Sequence, residues 1–194
     1  VESVPVETSL DHADIPNAPD VWLAMIDGAR RTIDFAEFYA SDVPSDGPHG
    51  ASMLTPIITA IERATARGVR VRFLADALFA AKYPETLARL AKAGATLRTI
   101  DVEKKTSGGV LHAKYFVVDQ SDTFLGSQNF DWRALDHIYE MGARITSPAF
   151  AGAAIRLSSL VNFSSSSPRR RARSPPLPSA SPRVSLKPGS LPAR

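Results

Sequence analysis

Over the first hundred positions the apolar residues switch repeatedly between two periods, and this alternation limits the chain to one broad class of fold. Residues 18–30 place Val21, Trp22, Met25 and Ile26 at helical intervals, with Asp20 near the start and Arg30 and Arg31 at the end, the charge order that suits a helix dipole. Residues 32–39 read as a strand, with Ile33, Phe35 and Glu37 on alternating positions. Helical spacing returns over residues 51–66 through Leu54, Ile57, Ile58 and Ile61, and stops at Arg67-Gly68. A strand over 69–75, a helix over 84–93 opened by Pro84 and closed by Gly94, and a strand over 95–100 complete a β-α-β-α-β order. That order predicts an α/β sheet with mostly parallel core strands. Extended runs at 111–118, 123–125 and 141–146 follow, and then a last helix from Pro148 to about Leu160. No G-x-G-x-x-G or Walker loop follows any of these strands, which argues against a nucleotide-cofactor fold.

Composition removes further classes. With 194 residues, 44% of them hydrophobic, the chain can build a core without staples. It has no Cys, which excludes disulfides, thiolate metal sites and thiol catalysis. No run approaches the roughly 18 consecutive apolar residues of a spanning helix. The sequence begins at Val1 rather than Met, and a leader removed or left out before it would place the protein outside the cytoplasm, as a secreted or membrane-associated chain.

The net charge of +3 divides unevenly. Residues 164–194 carry seven basic groups and no acidic one, together with nine Ser and seven Pro, leaving 16 basic and 20 acidic residues in 1–163. The expected organisation is therefore a domain over 1–163 and a disordered Ser/Pro/Arg-rich tail over 164–194. The tail suits an arm for anionic surfaces, a phosphorylatable linker, or a stretch with no function. Its abrupt onset after Leu160 also fits a truncated or frameshifted end.

The chemistry concentrates between residues 111 and 140. His112 and Lys114 stand two apart on a predicted strand, so both side chains leave one face. Asp119 closes that strand, Gly126-Ser127-Gln128-Asn129 forms a polar turn, and Glu140 opens the next extended run. The set offers a nucleophile or base, a cation, neutral donors and a carboxylate, an inventory suited to attack on a phosphodiester.

This window, Val110-Leu111-His112-Ala113-Lys114 through Asp119 and on to Gly126-Ser127-Gln128-Asn129 and Glu140, resembles the H-x-K-x-x-x-x-D signature of the phospholipase D superfamily. The surrounding residues look like the N-terminal half of the branch holding the lysosomal phospholipase D-like exonucleases and the poxvirus envelope phospholipase-like proteins. The resemblance covers about residues 1–160. It implies an α-β-α sandwich with a mixed, mostly parallel sheet, and a two-step reaction with no metal and no cofactor. In it His112 attacks phosphorus to form a phosphohistidine, with Glu140 on its other ring nitrogen. Lys114, Ser127 and Asn129 hold the phosphate, and Asp119, fourth among the catalytic candidates, orients the loop around the site.

The family takes its second proton-transferring His from a second copy of the motif. This chain has one copy, since His12, His49 and His137 have no Lys two residues on and read as structural histidines. A homodimer would supply the other motif across a two-fold axis; a lost second half would leave an inactive fragment. Tyr39, Asp131 and Trp132 are candidates for lining the site, Trp132 with Arg133 alternatively beginning a helical turn, and the Pro- and Gly-rich residues 41–50 read as a loop beside it. The reaction class leaves the substrate open between phospholipid and nucleic acid, because one chemistry serves both. The reading leans to phospholipid, with a 5′ exonuclease-like or dimeric endonuclease activity as the alternative.

Overall fold

The structure, a computed structural model, describes residues 1–43, 51–105 and 108–162. The tail and most of the 41–50 loop lie outside them. In chain order the elements are β1 (Glu2–Ser3), α1 (Ala18–Gly28), β2 (Thr32–Glu37), β3 (Ala40–Ser41), α2 (Leu54–Ala66), β4 (Arg70–Asp76), α3 (Ala77–Lys82) and α4 (Pro84–Lys92). There follow β5 (Thr96–Ile100), α5 (Val102–Lys105), β6 (Lys114–Val118), β7 (Asp122–Gly126), β8 (Phe130–Asp131), α6 (Trp132–Asp136), β9 (Glu140–Thr146) and α7 (Pro148–Asn162). Among the described residues no helix is long and apolar enough to cross a membrane.

Seven strands form one sheet in the order β1-β9-β7-β6-β2-β4-β5, and β3 pairs separately with β8. The sheet is mixed and helix-flanked, as expected, but its parallel part is confined to β2-β4 and β4-β5. The pairings β2-β6, β6-β7, β7-β9 and β1-β9 are antiparallel. Local geometry explains the balance. Only the first three main strands are joined by helical crossovers, which parallel pairing needs, whereas a three-residue turn joins β6 to β7 and permits only a hairpin.

One face of the sheet carries the core. Ile33 and Phe35 of β2, Phe73 of β4 and Phe116 of β6 meet Trp22, Met25 and Ile26 of α1 and the Leu54-Ile57-Ile58-Ile61 stripe of α2. Trp22, 1% exposed, lies at its centre, edge-on to Phe116 and Phe124 and stacked on Phe130 at a centroid distance of 5.8 Å. The helices stop where their ends were legible. Gly68 closes α2 with φ +86° and Gly94 follows α4 with φ +105°, conformations that glycine enters without a Cβ penalty. α7 packs on the opposite face, where Tyr115 of β6 donates its hydroxyl to the Ala154 carbonyl at 3.0 Å.

Asp119 fastens β6 to the rest of the sheet. Its carboxylate accepts the backbone N–H groups of Arg30 (2.9 Å), Arg31 (2.7 Å) and Thr32 (2.9 Å), where the chain enters β2. Asp119 and Gln120 both take positive φ, 49° and 59°, in the β6-β7 turn, a conformation that aspartate tolerates better than most residues. Burial pushes the Asp119 carboxyl up, and the three donors outweigh it, so its pKa lies below the ordinary aspartate range. Asp119→Ala is expected to lose about 2–3 kcal/mol of stability at neutral pH. Since a depressed pKa contributes stability above the unfolded value and loses it as pH falls through the folded one, paired thermal melts of wild type and variant should converge in acid.

Candidate active site

The sheet brings the signature residues together at one end of β6. Strand pairing begins at Lys114 rather than at residue 111, so His112 sits on the extended segment that leads into the strand. The expectation that both residues are strand residues is corrected accordingly, yet their side chains still meet. The Lys114 ammonium stands 3.2 Å from Nδ1 and 3.1 Å from Nε2 of His112. The Phe38 ring packs edge-on to the imidazole at 4.8 Å and lies 5.7 Å from Lys114 Nζ. The segment is anchored by Asp76, which is 2% exposed. One of its oxygens caps α3 through the N–H groups of Leu78 and Phe79, and the other accepts the N–H of Leu111 at 2.8 Å. The sequence reading missed Asp76; its position at a strand-to-helix junction, the usual place of a capping carboxylate, was the available signal.

Ser127 and Glu140 meet beside this pair. The Ser127 hydroxyl donates to Glu140 Oε2 and accepts the N–H of Met141 at 3.0 Å, and the Ser127 N–H donates to the Met141 carbonyl at 2.8 Å. Two glycines permit the approach. A Cβ on Gly126 would stand 2.9 Å from the Gly142 Cα, and one on Gly142 would stand 2.5 Å from the Phe124 ring. Glu140 therefore hydrogen-bonds Ser127 and not His112, although its charge is felt at Lys114. Asn129 Oδ1 is buried without a hydrogen-bond partner among the described residues. That oxygen is an acceptor, so it calls for a donor.

Glu37 belongs to the site as well. It is the cross-strand partner of Lys114 in the β2-β6 register, so both side chains project from the same face. It is 2% exposed, and its Oε2 has no partner among the described residues. Burial drives its carboxyl well above the ordinary glutamate range, and the Lys114 ammonium offsets this only in part. Burial also lowers the pKa of Lys114, against the pull of Glu37 and Glu140.

The remaining candidates separate. Asp119 follows the far end of β6, five residues and so about 16 Å of strand from Lys114. Its carboxylate is engaged by three backbone N–H groups and holds the fold at that end of the strand. Asp131 is buried, caps α6 through the Arg133 N–H and takes the Arg133 guanidinium on both oxygens at 2.9 Å. Trp132 begins the short helix and packs edge-on to His137. Tyr39 is buried next to Phe38, receives a 3.4 Å contact from Arg133, and has its phenol pushed up to about 12 by burial and by the Asp131 charge. His12 and His137 pair with Glu2 and Glu7, in keeping with structural roles.

The profile of the family described as "Cardiolipin synthase, PLD-like domain" matches residues 22–157, nearly the whole described part of the chain. The chain belongs to the phospholipase D superfamily. Human 5′-3′ exonuclease PLD3 is 33% identical over 152 residues, covering 73% of this chain and 31% of the relative. Phospholipase D Z of Dictyostelium discoideum is 31% identical over 144 residues, covering 73% of this chain and 34% of the relative. The chain thus spans about a third of the curated relatives it matches. Among solved structures, the phospholipase D family member Nuc from Salmonella typhimurium aligns with a TM-score of 0.59 at 23% identity, over 74% of this chain and 86% of that one. NucT from Helicobacter pylori gives 0.61 at 18% identity, over 73% and 85%. At those identities the likeness is one of fold.

Glu37 generates a prediction about pH. The folded chain keeps the Glu37 proton above the pH at which the unfolded chain releases it, so this group lowers stability as pH rises from the glutamate range towards neutrality. Glu37→Gln does not titrate. It should melt at least about 2 °C higher than wild type at pH 8, the shift that roughly 1 kcal/mol produces in a domain of this size, with the difference shrinking at pH 5.

Proposed function

We propose that the chain supplies one half of a metal-independent phosphodiesterase site that works through a phosphohistidine on His112. The observation that carries this reading is the placing of the Lys114 ammonium 3.1–3.2 Å from the His112 ring nitrogens, within reach of the charge of Glu140, which Ser127 holds. A neutral imidazole nitrogen attacks phosphorus; the P–N bond forms as the bond to the leaving oxygen breaks. The Lys114 ammonium neutralises the non-bridging oxygens and the Asn129 Nδ2–H group donates to them, the role a cation and neutral donors take in phosphoryl transfer. The Ser127 hydroxyl fixes Glu140 near the ammonium.

The leaving alkoxide needs a proton, and the hydrolytic water must lose one before it attacks the phosphohistidine and restores His112. A second motif supplies the histidine for both transfers. It comes from an identical chain across a two-fold axis, or from sequence beyond this third of the relatives' length.

The test is hydrolysis of a chromogenic phosphodiester in excess chelator over a series of chain concentrations. The expected result is chelator-resistant turnover that rises faster than linearly with concentration, falls at least about a thousandfold in His112→Ala and Lys114→Ala, and, with radiolabelled substrate, leaves alkali-stable, acid-labile label on wild type alone. Turnover that chelator removes, or that persists in His112→Ala, would sink the proposal.

A further inference from the structure

β2 ends on a buried carboxyl where its own pattern calls for an apolar side chain. Strand alternation puts Glu37 on the face of Ile33 and Phe35, both members of the core. Glu37 is nevertheless 2% exposed, and its Oε2 has no hydrogen-bond partner among the described residues. Nothing in the phosphoryl chemistry described so far uses it. The charged groups set around it are accounted for element by element. On β6 its register partner is Lys114, whose ammonium stands at the His112 ring and feels both Glu37 and Glu140; Tyr115 takes the other face, with its hydroxyl on the Ala154 carbonyl. On β4 its partner is Ala75, and the next residue, Asp76, has both oxygens taken by backbone N–H groups. Glu140 of β9 is held by Ser127, Asp131 of β8 by Arg133, and Asp34 of β2 itself by Arg72. The cation whose charge acts on Glu37 is Lys114.

We propose that anion binding at Lys114 is coupled to proton uptake at Glu37: as the non-bridging oxygens of a phosphate take the ammonium, the Glu37 carboxylate takes a proton from solvent. The inference rests on the phosphodiesterase reading above, in which Lys114 binds the phosphate, and adds a residue that acts through Lys114 without touching the substrate. In the empty site the ammonium favours the ionised carboxyl, and burial favours the neutral one. A bound oxyanion engages that ammonium and brings a negative charge to the same buried end of the sheet. Both effects favour the protonated carboxyl, because a like charge and a shared cation act in one direction. A carboxylate left ionised behind the lysine would weaken its hold on the phosphate; one O–H bond formed on Glu37 removes that opposition. The sign for affinity follows by linkage. Anion affinity is full below the midpoint at which Glu37 titrates in the empty site, and it is lost as pH rises from there through the midpoint of the occupied site, by about tenfold for each unit that separates the two.

The measurement is the titration of the Glu37 carboxyl carbon by NMR, with the full chain carrying carbon-13 glutamate, between about pH 5 and about pH 9, with and without saturating sulfate. Sulfate stays a dianion over that range, presents the tetrahedral oxygens of a phosphate and is not cleaved. The Arg and Lys residues of the tail keep their charge throughout and add no titration of their own. Glu37→Gln lacks the resonance and so assigns it; if that variant does not melt cooperatively, Glu37→Asp supplies the assignment. Glu37 is expected to titrate above the ordinary glutamate range, and sulfate to raise its midpoint by at least about half a unit, equivalent to a threefold change in affinity across the window. The rise should vanish in Lys114→Ala, which removes the anion's cation, and persist in His112→Asn, where no imidazole titrates beside the lysine. A midpoint that sulfate leaves in place, a rise that survives in Lys114→Ala or is lost in His112→Asn, or a Glu37 that titrates as an ordinary glutamate overturns the coupling. Because sulfate binding needs no turnover, a raised midpoint without hydrolysis of the chromogenic diester would retain the coupling and remove the phosphohistidine reading. Hydrolysis that depends on His112, with an unmoved midpoint, would do the opposite.

Discussion

The pairing of β6 with β2 is the constraint from which the rest of the site follows. Asp119 takes three backbone N–H groups where the chain enters β2, and that clamp fixes the register along the shared edge, from Ile33 opposite Val118 to Glu37 opposite Lys114. A slip of one residue would turn Lys114 to the α7 face and Tyr115 to the core face, because strand side chains alternate. The phosphate-binding cation would then leave its histidine. The last residue of the signature therefore acts at a distance from the first two: it holds the strand so that they can be where they are.

The core provides the rigid floor beneath them. Trp22 touches three phenylalanines from β6, β7 and β8, and Phe35 joins the same cluster from β2. The strands bearing the site residues are thus cross-linked through one indole, and close packing of this kind leaves little room for a strand to shift independently. Asp76 does the complementary work on the loop side. By capping α3 and holding the Leu111 N–H, it makes the position of His112 depend on the end of β4.

Burial of charge has its cost at this end of the sheet. Glu37 Oε2 is buried without a partner among the described residues, and Glu37 faces a half-buried ammonium. Such a pair opposes stability, and costly polar burial of this kind is what functional sites retain.

The sequence alone settled the family, the β-α-β core and the identity of His112, Lys114, Ser127, Asn129 and Glu140 as candidates, because apolar periodicity and motif spacing are local properties of the chain. It read the helix stops at Gly68 and Gly94 from the need for positive φ. It did not show that four of the six pairings in the seven-stranded sheet are antiparallel, or that Glu140 bonds Ser127 rather than His112. The Ser127–Glu140 bond spans 13 residues, and the β2-β6 and β1-β9 pairings join strands far apart in the chain. Asp76 had only its strand-to-helix position as a signal, and Glu37 was legible as a strand residue but not as the partner of Lys114. A carboxylate or a ring becomes part of a site through what the sheet sets beside it, and pairing between distant strands is decided by the packing of the whole core, which only the tertiary structure contains.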